Sequence, residues 1–546
     1  MKRILTLAVL FLFPFIDHAQ PNLTWTATYN GPPDQADEAV SIAVDAAGNS
    51  YVTGSAYAAN GSLDIVTFKY NPLGQVIWMR SFDGSASQND QGTMLVLDNA
   101  GNVYVTGYTY NTGSTQDITT IKYNTNGVLQ WVQYYDGAFS GADYGNALAI
   151  DPAGNVYVTG SETTAGFAND WVTLKYSATG MLQWFRTYDG PGGVNDEAKG
   201  IVLDVNGNVY VAGSSDTINN STPLSTMVLF KYDNNGNIQW RRCYNNTLPS
   251  YSYTKKLAID RNNNLIVIGY GGVPAQGNNM YTFEWDSSGV FRWFTQYNFG
   301  PNLYEQPNDV VVDSLNNVIV VGQGIAPSSG STNDYVTVKY DENGTQLWSA
   351  RYNNIFHGED RATAVDVDDS LNVYVTGYSK GTGTLFDIAT IKYDPAGNQQ
   401  YVLRYDNAPT SHDDVGNDIV VKNGDIYITG KSANATNDDY FTARYSYGIP
   451  TSVENPVAEN SALKVFPNPV ESEFHVVLPD GVNGNIHGEI LNEAGQTVFV
   501  SEKLATEETD GHSVVTLQPE GLAAGIYFVM LYSEEKMIGN SMFVVK

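Results

Sequence analysis

Acidic residues recur at one fixed place along this chain. Asp37, Asp90, Asp143, Asp196, Glu305, Asp360 and Asp413 each stand eight residues ahead of a turn aspartate or its equivalent, and Ser252 fills the remaining copy. Carboxylates gathered at one level of a fold suit two tasks. They offer oxygen to a hard cation such as calcium, or to ligand hydroxyls. They also accept hydrogen bonds from backbone N–H groups that burial has stripped of water. Strict repetition favours the second task, because a ligand site normally breaks symmetry. His357 and His412 are the only histidines between residues 21 and 447. Glu359 and Asp360 follow the first, and Asp413 and Asp414 the second, a pairing that suits metal binding or acid–base work. Tyr57, Tyr108, Tyr110, Phe167, Tyr251, Tyr253, Tyr304 and Phe356 fall in the segments whose length varies most. Aromatics in wet loops suit contact with a glycan or a protein.

Other chemistry is missing from the sequence. There is no Gly-x-Ser-x-Gly, HExxH or phosphate-loop motif. The net charge of −30 sets nucleic acid and anionic membranes aside as partners. A single cysteine, Cys243, rules out an internal disulfide framework. Binding is therefore expected ahead of catalysis, with no cofactor beyond calcium at the carboxylate positions.

The elements that position these residues come from a repeat. The phrase Gly-Asn-Val-Tyr-Val-Thr-Gly recurs with final glycines at Gly54, Gly107, Gly160, Gly213, Gly269, Gly322, Gly377 and Gly430. The spacings are 53, 53, 53, 56, 53, 55 and 53 residues. A phrase centred on Trp25, Trp78, Trp131, Trp184, Trp240, Trp293, Trp348 or Tyr401 precedes each copy. A third phrase, usually ending in Lys-Tyr as at Lys69-Tyr70, follows it. Each copy holds about four strands, and Asp-x-x-Gly-Asn pieces supply hairpin turns with glycine at positive φ. Four-stranded units at this period predict a β-propeller of eight blades. The Trp strand at the start is expected to complete the last blade and remove a free edge. In an antiparallel meander alternate loops share a face, so both variable loop sets lie together and form the expected binding face. The Trp series is expected between blades, and the repeated Lys is expected to pair with a carboxylate.

The Asp-x-x-Gly-Asn-x-Tyr-Val-Thr-Gly segment, the Asp-Ile-x-Thr-x-Lys-Tyr segment and the Trp before Tyr-Asp-Gly resemble the bacterial SBBP propeller repeat over about residues 23–445. The family name implies seven blades, whereas eight are counted here. After a linker at 448–462, Pro467-Asn468-Pro469, a turn ending at Gly495, Leu522-x-x-Gly525-Ile526-Tyr527 and a tail ending at Lys546 resemble the type A C-terminal sorting domain of the type IX secretion system. That resemblance implies a Gram-negative host, Sec export, the secretion machinery as partner, and release or attachment at the surface. Residues 1–20 read as a signal peptide, with Lys2 and Arg3 before an apolar stretch. No later run is long and apolar enough to span a membrane.

The expectation is an all-β chain: signal peptide 1–20, eight-bladed propeller 21–447, linker 448–462 and a small β-sandwich 463–546. It would act as a monomeric, secreted or surface-attached scaffold for an unknown glycan or protein. A secreted carbohydrate-active enzyme and a structural surface component are the alternatives.

Overall fold

The computed structural model describes residues 20–447 and 463–545, except 165–167, 192, 220–221, 245–250, 273–276, 301–302, 326–331, 355–357, 382–384, 408–412, 435, 467, 471–472, 479–485, 493–496, 510–511, 519–521, 524 and 534–535. The chain divides into two compact units, Met1–Tyr447 and Gly448–Lys546. Every described element is a strand or turn.

In the first unit seven four-stranded antiparallel sheets follow one another along the chain, each a simple meander. Blade 1 runs from Glu38 to Phe82, blade 2 from Gln91 to Tyr135 and blade 3 from Tyr144 to Tyr188. Blade 4 is Asp196–Cys243, blade 5 Tyr251–Tyr297, blade 6 Glu305–Tyr352 and blade 7 Asp360–Tyr405. Strands are labelled a to d within each blade, from the innermost outward. Blade 8 takes three strands from Val415–Ser446 and its outermost from Asn22–Tyr29, which pairs antiparallel with Asp438–Ser446. The two ends of the ring thus share one sheet, as the phase of the repeat predicts. Side chains close the seam as well. Asn417 Nδ2 donates to Ala39 O at 2.8 Å, and Ile42 N donates to Asp418 Oδ2 at 2.9 Å.

Burial within a blade explains the sequence pattern. Strands b and c, such as Ser50–Tyr57 and Leu63–Tyr70, are buried on both faces against neighbouring blades. They therefore read as nearly unbroken apolar and Thr runs. Strand d is more exposed, because it is the outermost strand and meets solvent.

The Trp series does lie between blades. Trp78 Nε1 donates to Thr125 O at 3.1 Å, in the c–d turn of the next blade. Trp25, Trp131, Trp184, Trp240, Trp293 and Trp348 repeat this bond. The turn glycine beneath must be glycine. At Gly127, φ is +74°, and a Cβ would stand 2.6 Å from the Trp78 ring. The repeated lysine departs from expectation. Lys69 Nζ donates to Thr125 O at 3.2 Å and lies 4.9 Å from the Tyr51 ring centre, so it caps a turn carbonyl of the next blade. Lys122 does the same at Ala178 and Tyr104. Lys339 pairs instead with Asp313 at 2.9 Å, and Lys392 Nζ donates to the Tyr447 hydroxyl at 2.9 Å.

The second unit holds two four-stranded antiparallel sheets. Phe474, Ile490, Val515, Leu517, Val529, Leu531 and Phe543 form their shared core, a small β-sandwich.

Candidate functional site

The inner strands begin on the face that carries both variable loop sets, the a-strand ends and the b–c and d–a connections. The recurring carboxylate is the first residue of strand a or the one just before it. Asp37, Asp90, Asp143, Asp196, Glu305 and Asp360 are each fully buried. They do not line the opening; they hold the loops. Asp90 Oδ2 accepts from Gly84 N at 2.5 Å, in the preceding d–a loop, and Oδ1 accepts from Tyr110 N at 2.8 Å, at the end of strand b. Its own N–H donates to Leu63 O of the blade before, at 2.7 Å. Asp37 binds Gly31 N and Tyr57 N, and Asp143 binds Gly137 N and Thr163 N, in the same way. Asp196 takes Gly190 N at 2.6 Å, and Asp360 takes Asn354 N at 3.2 Å. Asp37, Asp90, Asp143, Asp196 and Asp360 therefore tie strand a to the loops above it.

The last copy corrects the sequence reading. Asp414, not Asp413, fills this place: it is 2 % exposed and accepts from Asn407 N at 3.0 Å and Ala433 N at 2.8 Å. The a–b turn of blade 8 is the two-residue Asn423-Gly424, so counting back from a five-residue turn lands one residue early. Aligning Gly416 with Gly145, both at the strand-a bulge, gives the right position.

Burial raises these acids against the lowering pull of their backbone donors. Asp37, Asp143 and Asp360 are pushed up to about 6, and Asp90 to about 7. Burial likewise lifts Glu305 to about 7, opposed by the Phe299 N–H and by Arg351.

The residue that follows this position is at least partly exposed in blades 1 to 7 and buried in blade 8, and it breaks the symmetry. The series is Glu38, Gln91, Tyr144, Glu197, Tyr253, Gln306, Arg361 and Val415. The sequence reading missed it as a series; the signal was a position that varies beside one that does not. Two aromatic groups result. Tyr108 packs edge-on against Tyr144 of the next blade, with centroids 5.1 Å apart. Burial pushes Tyr108 up to about 12, and Tyr110 accepts at its hydroxyl from Gln116 Nε2 at 2.5 Å. On blade 5, Tyr253 lies 5.3 Å from Tyr270 and 5.9 Å from Tyr251. Tyr253 is 36 % exposed, Tyr304 50 % and Phe299 48 %. His357 and His412 lie outside the described residues, as do Phe167 and Phe356.

In the second unit Asn468 Oδ1 accepts from Val544 N at 2.9 Å, after which Val470 N donates to Val544 O at 2.7 Å. Pro469 follows Asn468 across a cis bond. Tyr527, which follows Gly525 in one strand, donates its hydroxyl to Ala523 O at 3.0 Å and stacks on Phe543. These motif residues pin the last strand. Pro467, Gly495 and Lys546 lie outside the described residues.

Sheet topology and site together define an eight-bladed β-propeller followed by a β-sandwich. Residues 130–164 match the SBBP β-propeller repeat, and residues 464–546 match the secretion system C-terminal sorting domain. The chain is thus a propeller protein with a type IX sorting tail, which supports export followed by surface attachment or release. It is 22 % identical over 461 residues to an uncharacterised WD repeat-containing protein, L264, of Acanthamoeba polyphaga mimivirus. That match covers 64 % of this chain and 30 % of the viral protein, so the chain spans under a third of that relative's length. Among solved structures, the WD40 domain of SCAP from fission yeast aligns over 78 % of this chain and 99 % of its own, at 10 % identity and a TM-score of 0.37. Drosophila Semaphorin 1b, extracellular domains 1-2, aligns over 78 % and 87 %, at 8 % identity and 0.36. The propeller assignment rests on the strand pairing itself. No helix among the described residues is long and apolar enough to cross a membrane.

Proposed function

We propose that this exported propeller is a binding scaffold whose variable-loop face captures an extracellular glycan. The observation that carries the reading is the set of exposed aromatics on blade 5 and the loop after it: Tyr253, with Tyr251 and Tyr270 beside it, and Tyr304. Sugar rings present apolar C–H faces that stack on aromatic faces, and tyrosine hydroxyls add hydrogen bonds at little entropic cost. Neutral or cationic glycans fit a chain of net charge −30 better than acidic ones. A rigid ring that presents loops without ordering them on binding loses little entropy at capture.

A glycan array probed with the mature protein, followed by calorimetry on the best hit, tests this. Tyr253→Ala and Tyr304→Ala are each expected to weaken binding about tenfold, the loss of roughly 1.4 kcal/mol, with unchanged thermal unfolding. Saturable binding to no glycan would overturn the reading, as would variants that bind like the parent. A turnover assay on the same glycans tests the hydrolase or lyase alternative, which activity lost in His357→Ala and His412→Ala would favour.

A further inference from the structure

At the junction of blades 2 and 3, three carboxylates converge from three segments. Asp117 opens strand c of blade 2, Asp136 follows its strand d, and Asp143 precedes strand a of blade 3. One oxygen of each lies within 4.8 Å of the others. Asp117 is 3 % exposed. Its Oδ2 accepts from Asn111 Nδ2 and Ser114 Oγ, at 2.8 and 2.9 Å, on the b–c loop. Its other oxygen, Oδ1, is buried and meets no hydrogen-bond donor among the described residues. A buried carboxylate oxygen without a donor is costly, and no lysine or arginine among the described residues forms an ion pair with any of the three acids.

The chain itself shows what belongs there. In blades 6 and 7 the residue seventeen places after the strand-c aspartate is arginine, and its guanidinium lies on that aspartate: Arg351 Nη2 is 3.4 Å from Asp334, and Arg404 Nη2 is 2.6 Å from Asp387. In blade 2 the same place holds Tyr134, and in blade 3 Thr187. Blade 3 repeats the arrangement with Asp170, Asp189 and Asp196, again within 4.8 Å.

We propose that the blade 2–3 junction binds a calcium-class divalent cation through Asp117, Asp136 and Asp143. The donors are oxygen alone, which selects hard cations over zinc or copper. Calcium binds oxygen at about 2.3–2.6 Å, so ligands up to about 5 Å apart can share one ion, whereas magnesium at about 2.0–2.1 Å reaches less far. Asp136 is exposed, which leaves that side open to water as further ligands. The ion would take the place that the Arg351 and Arg404 guanidiniums hold in their own blades. It would fasten two blades at the foot of the variable loops, so it is independent of the glycan reading.

Calorimetric titration of calcium chloride into the chelator-treated mature chain tests the proposal. Saturable binding is expected in the range of extracellular calcium modules, about 10⁻⁴–10⁻³ M, together with a rise in melting temperature over the chelated protein. Asp136→Asn, at an exposed position, is expected to remove one equivalent or weaken it at least about tenfold, while melting like the parent in chelator. Tyr134→Arg is expected to abolish the same equivalent and to melt higher than the parent in chelator. No saturable calcium binding by the parent would overturn the proposal, as would Asp136→Asn and Tyr134→Arg variants with parental stoichiometry and affinity.

Discussion

Asp90 shows what a repeated acid does at residue scale. It accepts from the buried N–H groups of Gly84 and Tyr110, and water reaches neither its carboxylate nor these partners freely. Asp90→Ala leaves both donors without an acceptor, and unfolding in urea is expected to show a loss of about 2–4 kcal/mol. Asp90→Asn should fall between parent and alanine, since the amide keeps one acceptor and turns a donor toward an N–H. A loss under about 0.5 kcal/mol in Asp90→Ala would show that the carboxylate is not holding the loops. The recurrence of these acids was legible in the sequence, and so was the bias of strict repetition toward structure. The variable neighbour was not. Whether a strand residue points into a blade or out of its mouth depends on the bulge in strand a, between Gly92 and Met94 for example, which shifts the alternation.

At the scale of the element, the N-terminal strand decides whether the ring is closed. Asn22–Tyr29 pairs along most of the length of Asp438–Ser446 and brings Trp25 over Gly74 and the Pro72 carbonyl of blade 1. Without it, blade 8 would present a bare edge and blade 1 would lose its Trp. Deleting residues 22–29 from the mature protein is therefore expected to lower the melting temperature and to produce dimers or larger species by light scattering. A monomeric deletion variant with parental melting would mean that the seam is held elsewhere. The repeated elements themselves were readable, because a glycine at positive φ under every Trp leaves a fixed mark. The role of Lys69 was not, because its partner is a backbone carbonyl on the next blade, and a carbonyl has no side-chain signature.

The whole molecule carries more raised acids than lowered ones at its junctions, and this sets its response to pH. Asp37, Asp90, Asp143, Asp360 and Glu305 are lifted by burial to about 6 to 7. Their unfolded values lie near 4. The folded chain therefore takes up these protons first, and their contribution to stability grows as pH falls from about 7 toward 4. The turn aspartates act the other way. Burial alone would raise Asp45 and Asp98, but the bonds from Asn49 and Asn102 hold them below the usual carboxylate range. Their contribution is present above about pH 4 and is lost below it. Thermal unfolding in chelator is expected to peak near pH 5 to 6, with lower melting at pH 8. Monotonic stabilisation up to pH 8 would contradict the burial of the junction acids.

The sequence by itself determined eight copies, their order and phase, the closing strand, and the address carried by the tail. All of these are local patterns repeated along one dimension. Tertiary structure alone decided which side chains meet across a blade junction. It turned the carboxylate circle away from the mouth, moved the last member from Asp413 to Asp414, and brought Asp117, Asp136 and Asp143 together. The reason is physical: a repeat fixes what each blade contains, but contacts between blades depend on register, bulges and turn length. A change of one residue in any of these redirects a side chain to the opposite face.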